Sequence, residues 1–209
     1  TIYLFERITK ISDIEDAYSM AEDYIDIFDA LKLDKVYLYG VSYGGILSQI
    51  MGIKHPDRIE KCALISTTSR INDYSVTVGD RWTNIAKSRD FELLNKTFVV
   101  DLFSKMTIDK LGDNLNLIGN NIDEIDDDRV DNFVKYVKMC FHTNTDIAKF
   151  KAKVKVFCSY NDKVYPYIEG KYIADTINCP IKIYEDYGHA VYDETDDVLN
   201  EVREFFVYD

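Results

Sequence analysis

The spacing of apolar and polar positions changes character several times along the chain. Ile14, Ala17, Tyr24, Ile27, Phe28 and Leu31 recur at three- and four-residue intervals, which predicts a helix with one buried face. Ser12 opens this stretch with Glu15 three residues on, the spacing of a capping box. Tyr3-Leu4-Phe5, before it, reads as a short strand, and Val36-Tyr37-Leu38-Tyr39, after it, as a compact one. Beyond residue 45 an apolar helix carries Ile46, Leu47, Ile50, Met51 and Ile53. It should end near His55-Pro56, because the residue before a proline avoids helical backbone angles. Cys62-Ala63-Leu64-Ile65, Val154 to Cys158 and Ile181 to Tyr184 are further strand-like runs. A last helix is expected from about Thr195 to Phe206, with Val198, Val202, Phe205 and Phe206 as its buried stripe. Strands alternating with helices predict an α/β fold, a mainly parallel sheet with helices on both faces. Residues 70–150 differ, with helical periodicity in pieces, as at Phe133, Tyr136, Val137 and Cys140, and almost no strand alternation. The predicted organisation is a core of residues 1–69 and 151–209 with a helical insertion between them.

Composition adds limits to this picture. The chain has 209 residues, of which 46% are hydrophobic and 30% charged, which suits one globular domain with a real core. No apolar run approaches the roughly 20 residues that span a bilayer, and Thr1-Ile2-Tyr3-Leu4-Phe5-Glu6-Arg7 lacks the features of a signal peptide. Cytoplasmic residence is the resulting expectation. A net charge of −12 argues against nucleic acid and against an anionic membrane surface as partners. Cys62, Cys140, Cys158 and Cys179 form no C-x-x-C pair and read as free, structural thiols. The acidic run from Asp123 to Asp128 has no glycine where a calcium loop needs its sharp turn, and reads as a solvated helix start. The three histidines are scattered and form no H-E-x-x-H pair, so neither a metal nor another cofactor is expected.

The chemistry gathers at Gly40-Val41-Ser42-Tyr43-Gly44-Gly45, which follows a predicted strand and precedes a predicted helix. In that setting G-x-S-x-G is a tight turn that holds the serine in a strained conformation, its hydroxyl exposed at the carboxyl edge of the sheet. Glycines at 40 and 44 are expected to relieve crowding where strand and helix nearly touch. The Tyr43 N–H, at the start of the helix, is a candidate oxyanion donor. A Walker-type phosphate loop would need Gly-Lys-Ser/Thr, which is absent.

A serine hydroxyl needs a base to become a nucleophile. His55 looks like a surface helix end, and His142 falls in the helical insertion. His189, in Tyr187-Gly188-His189-Ala190, follows the last strand and so falls at the same sheet edge as Ser42, because parallel strands present their carboxyl ends together. Asp162 follows the preceding strand and can orient His189; its alternative role is an Asx turn before Pro166. Glu185 and Asp186 are rival acids. Tyr74, Trp82 and Phe141 in the insertion are candidates for lining a substrate pocket.

Taken in order, Ser42, Asp162 and His189 make the chain resemble the α/β-hydrolase superfamily, whose triad runs Ser, Asp, His. The matching segments are Val36 to Gly45, Phe157 to Pro166 and Ile183 to Ala190, with His55-Pro56-Asp57-Arg58-Ile59 and Cys62 to Ser66 resembling the stretch after the elbow. The resemblance implies that the insertion is a cap and that the activity is hydrolysis of a small ester, amide or thioester through an acyl-enzyme. Carboxylesterase-like action on a small-molecule acyl substrate is the leading expectation. Aminopeptidase, thioesterase or acyltransferase action is the alternative, as is a noncatalytic relative; a homo-oligomer stays open. In one respect the chain departs from the family, whose members begin with further strands, one bearing a His-Gly-type loop that gives a second oxyanion donor. Here about 45–60 residues of strands, helix and turns are expected to be missing.

Overall fold

A computed structural model describes residues 1–3, 16–112 and 126–208. Leu4 and Phe5 of the first expected strand, the Ser12–Glu15 capping box and the start of the acidic run lie outside the described residues, and Tyr3 is in neither helix nor strand. Helix α1 (Ala17–Ala30) has its own box one turn later: Asp16 accepts the Ser19 N–H while the Asp16 N–H reaches the Ser19 hydroxyl. Its buried residues are Ala17, Met20, Ala21, Ile25 and Phe28, so the inward stripe is set slightly off Ile27 and Leu31.

Among the described residues four strands follow, β1 (Val36–Val41), β2 (Ile59–Ile65), β3 (Lys153–Ser159) and β4 (Ile181–Tyr184). They form a sheet in the order β1-β2-β3-β4 with every pair parallel. The connecting helices are α2 (Tyr43–Lys54) after β1 and α7 (Tyr167–Ile177) after β3, with α8 (Val191–Glu194) and α9 (Asp197–Tyr208) after β4. Alternate side chains of a strand point to opposite faces, and the core divides accordingly. Cys62, Leu64, Val154 and Val156 join α1, α2 and α7 on one side. Ala63, Ile65 and Phe157 join Val191, Val198 and Val202 of α8 and α9 on the other. Helices therefore cover both faces, as the strand–helix alternation predicts. Helix α2 is buried nearly all round, which suits an apolar helix held between the sheet and α1.

Between β2 and β3 the described residues form the helices α3 (Asp73–Lys87), α4 (Phe91–Leu102), α5 (Lys105–Leu111) and α6 (Asp127–His142). Each has a polar N-cap whose side chain accepts a backbone N–H of its first turn: Asn72, Asp90, Ser104 and Asp126. The described part of the acidic run, Asp126-Asp127-Asp128, thus serves a helix start, and among the described residues no cluster suited to a metal ion occurs. No described helix is long and apolar enough to cross a membrane. In the last turns of α9 the buried Lys61 amino group donates to the carbonyls of Phe205 and Phe206, where a helix end favours a cation.

Candidate active site

Parallel strands put their carboxyl ends on one edge, and the three predicted site residues emerge there from β1, β3 and β4. Ser42 directly follows β1. Its N–H donates to the Ile65 carbonyl at 2.9 Å, and its own carbonyl accepts the Thr67 hydroxyl at 2.7 Å. Between these anchors Ser42 takes φ 52° and ψ −121°, a region that costs a non-glycine residue about 1–3 kcal/mol. The turn is tight enough that a Cβ on Gly40 would lie 2.8 Å from Gly45 Cα, so glycine is required there. The expectation for Gly44 is corrected, because a Cβ there would meet nothing within 4 Å. The second crowded position is Gly45, where a Cβ would come within 2.5 Å of the Thr67 hydroxyl that holds Ser42 in place.

His189 Nε2 lies 2.9 Å from Ser42 Oγ, and His189 Nδ1 lies 2.8 and 2.9 Å from the two Asp162 oxygens. A carboxylate only accepts hydrogen bonds, so Nδ1 carries the proton toward Asp162; in the neutral ring Nε2 then accepts from the Ser42 hydroxyl. Asp162 is buried at 6% exposure and His189 at 1%, so the pair is shielded from water while Ser42 stays partly accessible. The Asx-turn role of Asp162 is also met: Oδ1 accepts the N–H groups of Val164 and Tyr165 at 2.8 and 2.9 Å. Turn and histidine contact are made by one side chain, so the turn holds the carboxylate in place for the ring. The rivals Glu185 and Asp186 are exposed. Ser159 binds the acid loop to the histidine loop by donating to the Tyr187 carbonyl, and Asn161 does so through the Glu185 carbonyl.

Tyr43 opens α2, and a first helical N–H has no acceptor within its helix. The Tyr43 side chain faces inward, packed edge-on against Tyr136. The three expected pocket residues are spread out. Trp82 is buried with its indole N–H on Asp101 Oδ2 at 2.7 Å, and Phe141 is buried against Trp82 and Tyr165. Tyr165, which Phe141 touches, also meets the His189 ring edge-on, at 5.7 Å between centroids. Tyr74 is half exposed and donates to the Lys163 carbonyl. His55 caps the end of α2 and contacts Glu22, and His142 ends α6 exposed, so neither approaches Ser42. All four cysteines are free, and burial together with the Asp162 charge pushes the Cys158 thiol up to about 12, so it stays protonated. Two shallow surface hollows of about 420 and 430 Å³ are lined by Lys35, Asp57, Lys151 and Cys179, among others, at the amino ends of the strands. That is the edge opposite Ser42, and they have no part in its chemistry.

Sheet, sharp serine turn and the Ser–His–Asp hydrogen-bond chain define the molecule as an α/β protein of hydrolase type. The family model described as alpha/beta hydrolase fold matches residues 9–123, and the chain belongs to that family. A protein of Bacillus subtilis (strain 168), provisionally named a 2-succinyl-6-hydroxy-2,4-cyclohexadiene-1-carboxylate synthase, is 39% identical over 67 residues, 32% of this chain and 23% of that relative. The chain thus spans under a quarter of the curated relative it matches. An alpha/beta hydrolase enzyme from a Medee basin deep-sea metagenome library has the same fold with a TM-score of 0.82 at 18% identity, over 92% of this chain and 73% of that one. The enol-lactonase of Burkholderia xenovorans LB400 matches with 0.77 at 19%, over 93% and 74%. A thermophilic esterase from Thermogutta terrifontis matches with 0.73 at 18%, over 92% and 72%.

Sequence reasoning did not single out Thr67, Tyr165, Gly188 or Glu194, all of which touch Ser42, Asp162 or the histidine loop. Gly188, beside His189, was open to detection as a glycine adjoining a candidate base. Glu194 bears no local signal, because three of its four donors come from residues 104 and 107.

Proposed function

We propose that the protein is a serine hydrolase that cleaves a small ester, amide or thioester through an acyl-enzyme, with carboxylesterase-like action the leading form. The observation that carries this reading is the continuous chain Ser42 Oγ–His189–Asp162 at 2.8–2.9 Å, with the serine on a strained turn. Ser42 Oγ attacks the acyl carbonyl as its proton passes to His189 Nε2. Asp162 holds the ring in the needed tautomer and stabilises the imidazolium. The Tyr43 N–H faces the oxygen that becomes negative. His189 returns the proton to the leaving group, and water then repeats the sequence on the acyl-enzyme. The helices α3–α6 serve as the cap over this edge, with Tyr74, Trp82 and Phe141 contributing to its aromatic side, and cytoplasmic residence is part of the same proposal. The esterase and enol-lactonase among the similar structures are in keeping with acyl chemistry.

The Bacillus relative is named a synthase and not a hydrolase, which favours a second reading, lyase chemistry by the same Ser42, His189 and Asp162 without hydrolysis of an acyl-enzyme. A fluorophosphonate probe with mass mapping, followed by a panel of chromogenic esters and aminoacyl anilides, tests the hydrolase. Labelling confined to Ser42 and lost in Ser42→Ala, with turnover of an ester, is the expected result. Labelling that persists in Ser42→Ala overturns the assignment. A labelled serine without ester or anilide turnover directs attention to the second reading.

A further inference from the structure

Glu194 has an environment that its own helix does not explain. It is the last residue of α8, a single helical turn, and its carboxylate bonds lie outside that turn. Its carboxylate accepts from four neutral donors. Oε1 takes the Gly188 N–H at 2.7 Å; Oε2 takes the Ser104 N–H at 3.1 Å, the Thr107 hydroxyl at 2.5 Å and the Ser104 hydroxyl. Gly188 belongs to the histidine loop. Ser104 and Thr107 belong to the start of α5, in the helical insertion.

The opposite side of the loop is held as well. The Ala190 N–H donates to the Leu102 carbonyl at 2.8 Å, at the end of α4. Both neighbours of His189 are therefore tied to the same α4–α5 turn, one through a carboxylate and one directly. The approach is close: a Cβ on Gly188 would lie 2.6 Å from the Leu102 carbonyl oxygen and 2.8 Å from Ser104 N, backbone atoms that cannot easily move aside. His189 Nε2 has to meet Ser42 Oγ within hydrogen-bond reach, and it does so from a loop whose flanks are fixed by the insertion.

We propose that Glu194 is a positioning residue which locks the histidine loop onto the α4–α5 turn, so that the helical insertion sets the alignment of His189 with Ser42. The proposal rests on the hydrolase reading for its catalytic consequence. The lock itself is a matter of geometry and can be read without turnover. A role confined to general stability would lower the melting temperature and leave the kinetics of the folded enzyme and local exchange at the loop unchanged.

The test compares the full-length wild type with Glu194→Ala, Glu194→Gln and the double variant Ser104→Ala/Thr107→Val, which leaves Glu194 in place. Rates on p-nitrophenyl acetate are measured alongside amide hydrogen exchange at Gly188 and Ala190 and the NMR signal of the His189 Nδ1 proton. For Glu194→Ala, kcat should fall by about 10²-fold, the scale of a small misplacement of a reacting group, with KM little changed. Exchange at Gly188 and Ala190 should rise, and the Nδ1 proton signal should broaden. Glu194→Gln should recover part of the rate, because its amide oxygen still accepts the Gly188 N–H and its NH2 group can donate to the Ser104 or Thr107 hydroxyl. The double variant should show the same direction of change at the loop, and decides the matter if Glu194→Ala does not fold. Wild-type kcat and wild-type exchange in folded Glu194→Ala, or in the double variant, overturn the proposal. If the wild type itself neither turns over ester nor labels at Ser42, the hydrolase reading falls, and the exchange and proton signals alone decide the positioning role.

Discussion

Asp162 joins two roles in one side chain, and a single substitution separates them. Asn in its place keeps an oxygen to accept the N–H groups of Val164 and Tyr165, so the turn should persist. Its NH2 group would face His189 Nδ1, which must then accept, and the ring proton moves to Nε2. There it points at Ser42 Oγ in the sense that blocks proton removal. For Asp162→Asn we expect kcat on an activated ester to fall by about 10⁴-fold with the thermal midpoint nearly unchanged; a loss below tenfold would sink the role of Asp162 as orienter. At this scale the sequence was informative where chemistry and position coincide. Ser42, Asp162 and His189 are each a reactive residue just beyond a strand-like run, and the structure brings them together. It was uninformative where the partners are remote. The Glu194 contacts to Ser104 and Thr107 cross 90 and 87 positions, and no local pattern encodes how a helical insertion folds back on a loop. Gly45, which the sequence did not mark, takes the crowded position expected of Gly44 for a related reason, since the crowding there comes from Thr67, a residue after β2.

Among the elements, runs rich in Val, Ile and aromatic residues marked the strands well: β2 and β3 are buried on both faces over most of their length, which leaves little room for polar residues, while in β1 Leu38 and Gly40 are buried and Tyr37 and Tyr39 exposed. Ile181–Tyr184 is β4 as read, and the other strands extend one to three residues beyond their apolar centres. Helix α7 is less visible in the pattern, with buried Gly170 and Glu169 interrupting its apolar face. Glu169 is buried because it pairs with Arg70 Nε at 2.7 Å and Asn72 Nδ2 at 3.0 Å, joining α7 to the approach of α3. Trp82 shows the same limit. Its spacing placed it in the insertion, but its direction depends on Asp101, a carboxylate on α4 that also pairs with Arg81. That contact carries a prediction. Asp101→Ala removes the acceptor of a buried indole N–H, and an unsatisfied buried donor costs about 1–3 kcal/mol. Chemical denaturation should show a loss in that range, and a loss under 0.5 kcal/mol (about the usual effect of a surface substitution) would mean that α3 and α4 are joined by apolar packing alone.

For the whole molecule, stability and acidity are linked through a small set of carboxylates. Hydrogen bonds from Lys155 and Lys182 hold Glu201 below the usual carboxylate range, and a bond from Lys182 does the same for Asp197. This network fastens α9 to β3 and β4. On the opposite side of the sheet Lys54, then His55, hold Glu22 low, fastening α1 to the end of α2. A carboxyl group whose folded pKa is depressed binds fewer protons folded than unfolded. Its contribution is therefore complete above the unfolded value and is lost as the pH falls through the folded one. Burial and the neighbouring Glu194 raise Asp193 instead, so that residue favours the folded state more at low pH and opposes the trend. Among the described residues, three lowered carboxylates against one raised predict stability that is flat above the ordinary carboxylate range, about 3.9–4.3, and declines below it. The pairs are partly exposed and screened by salt, so the decline should be gradual and weaker in high salt. Thermal midpoints across the acid range, for the wild type and for Asp197→Asn/Glu201→Gln, check this reading. The double variant should be less stable near neutrality and should have the shallower acid decline, the two curves converging at low pH. Parallel curves would place the acid sensitivity in other carboxylates and leave α9 fastened by Val198, Val202 and Phe205 and by the Lys61 bonds to its last carbonyls.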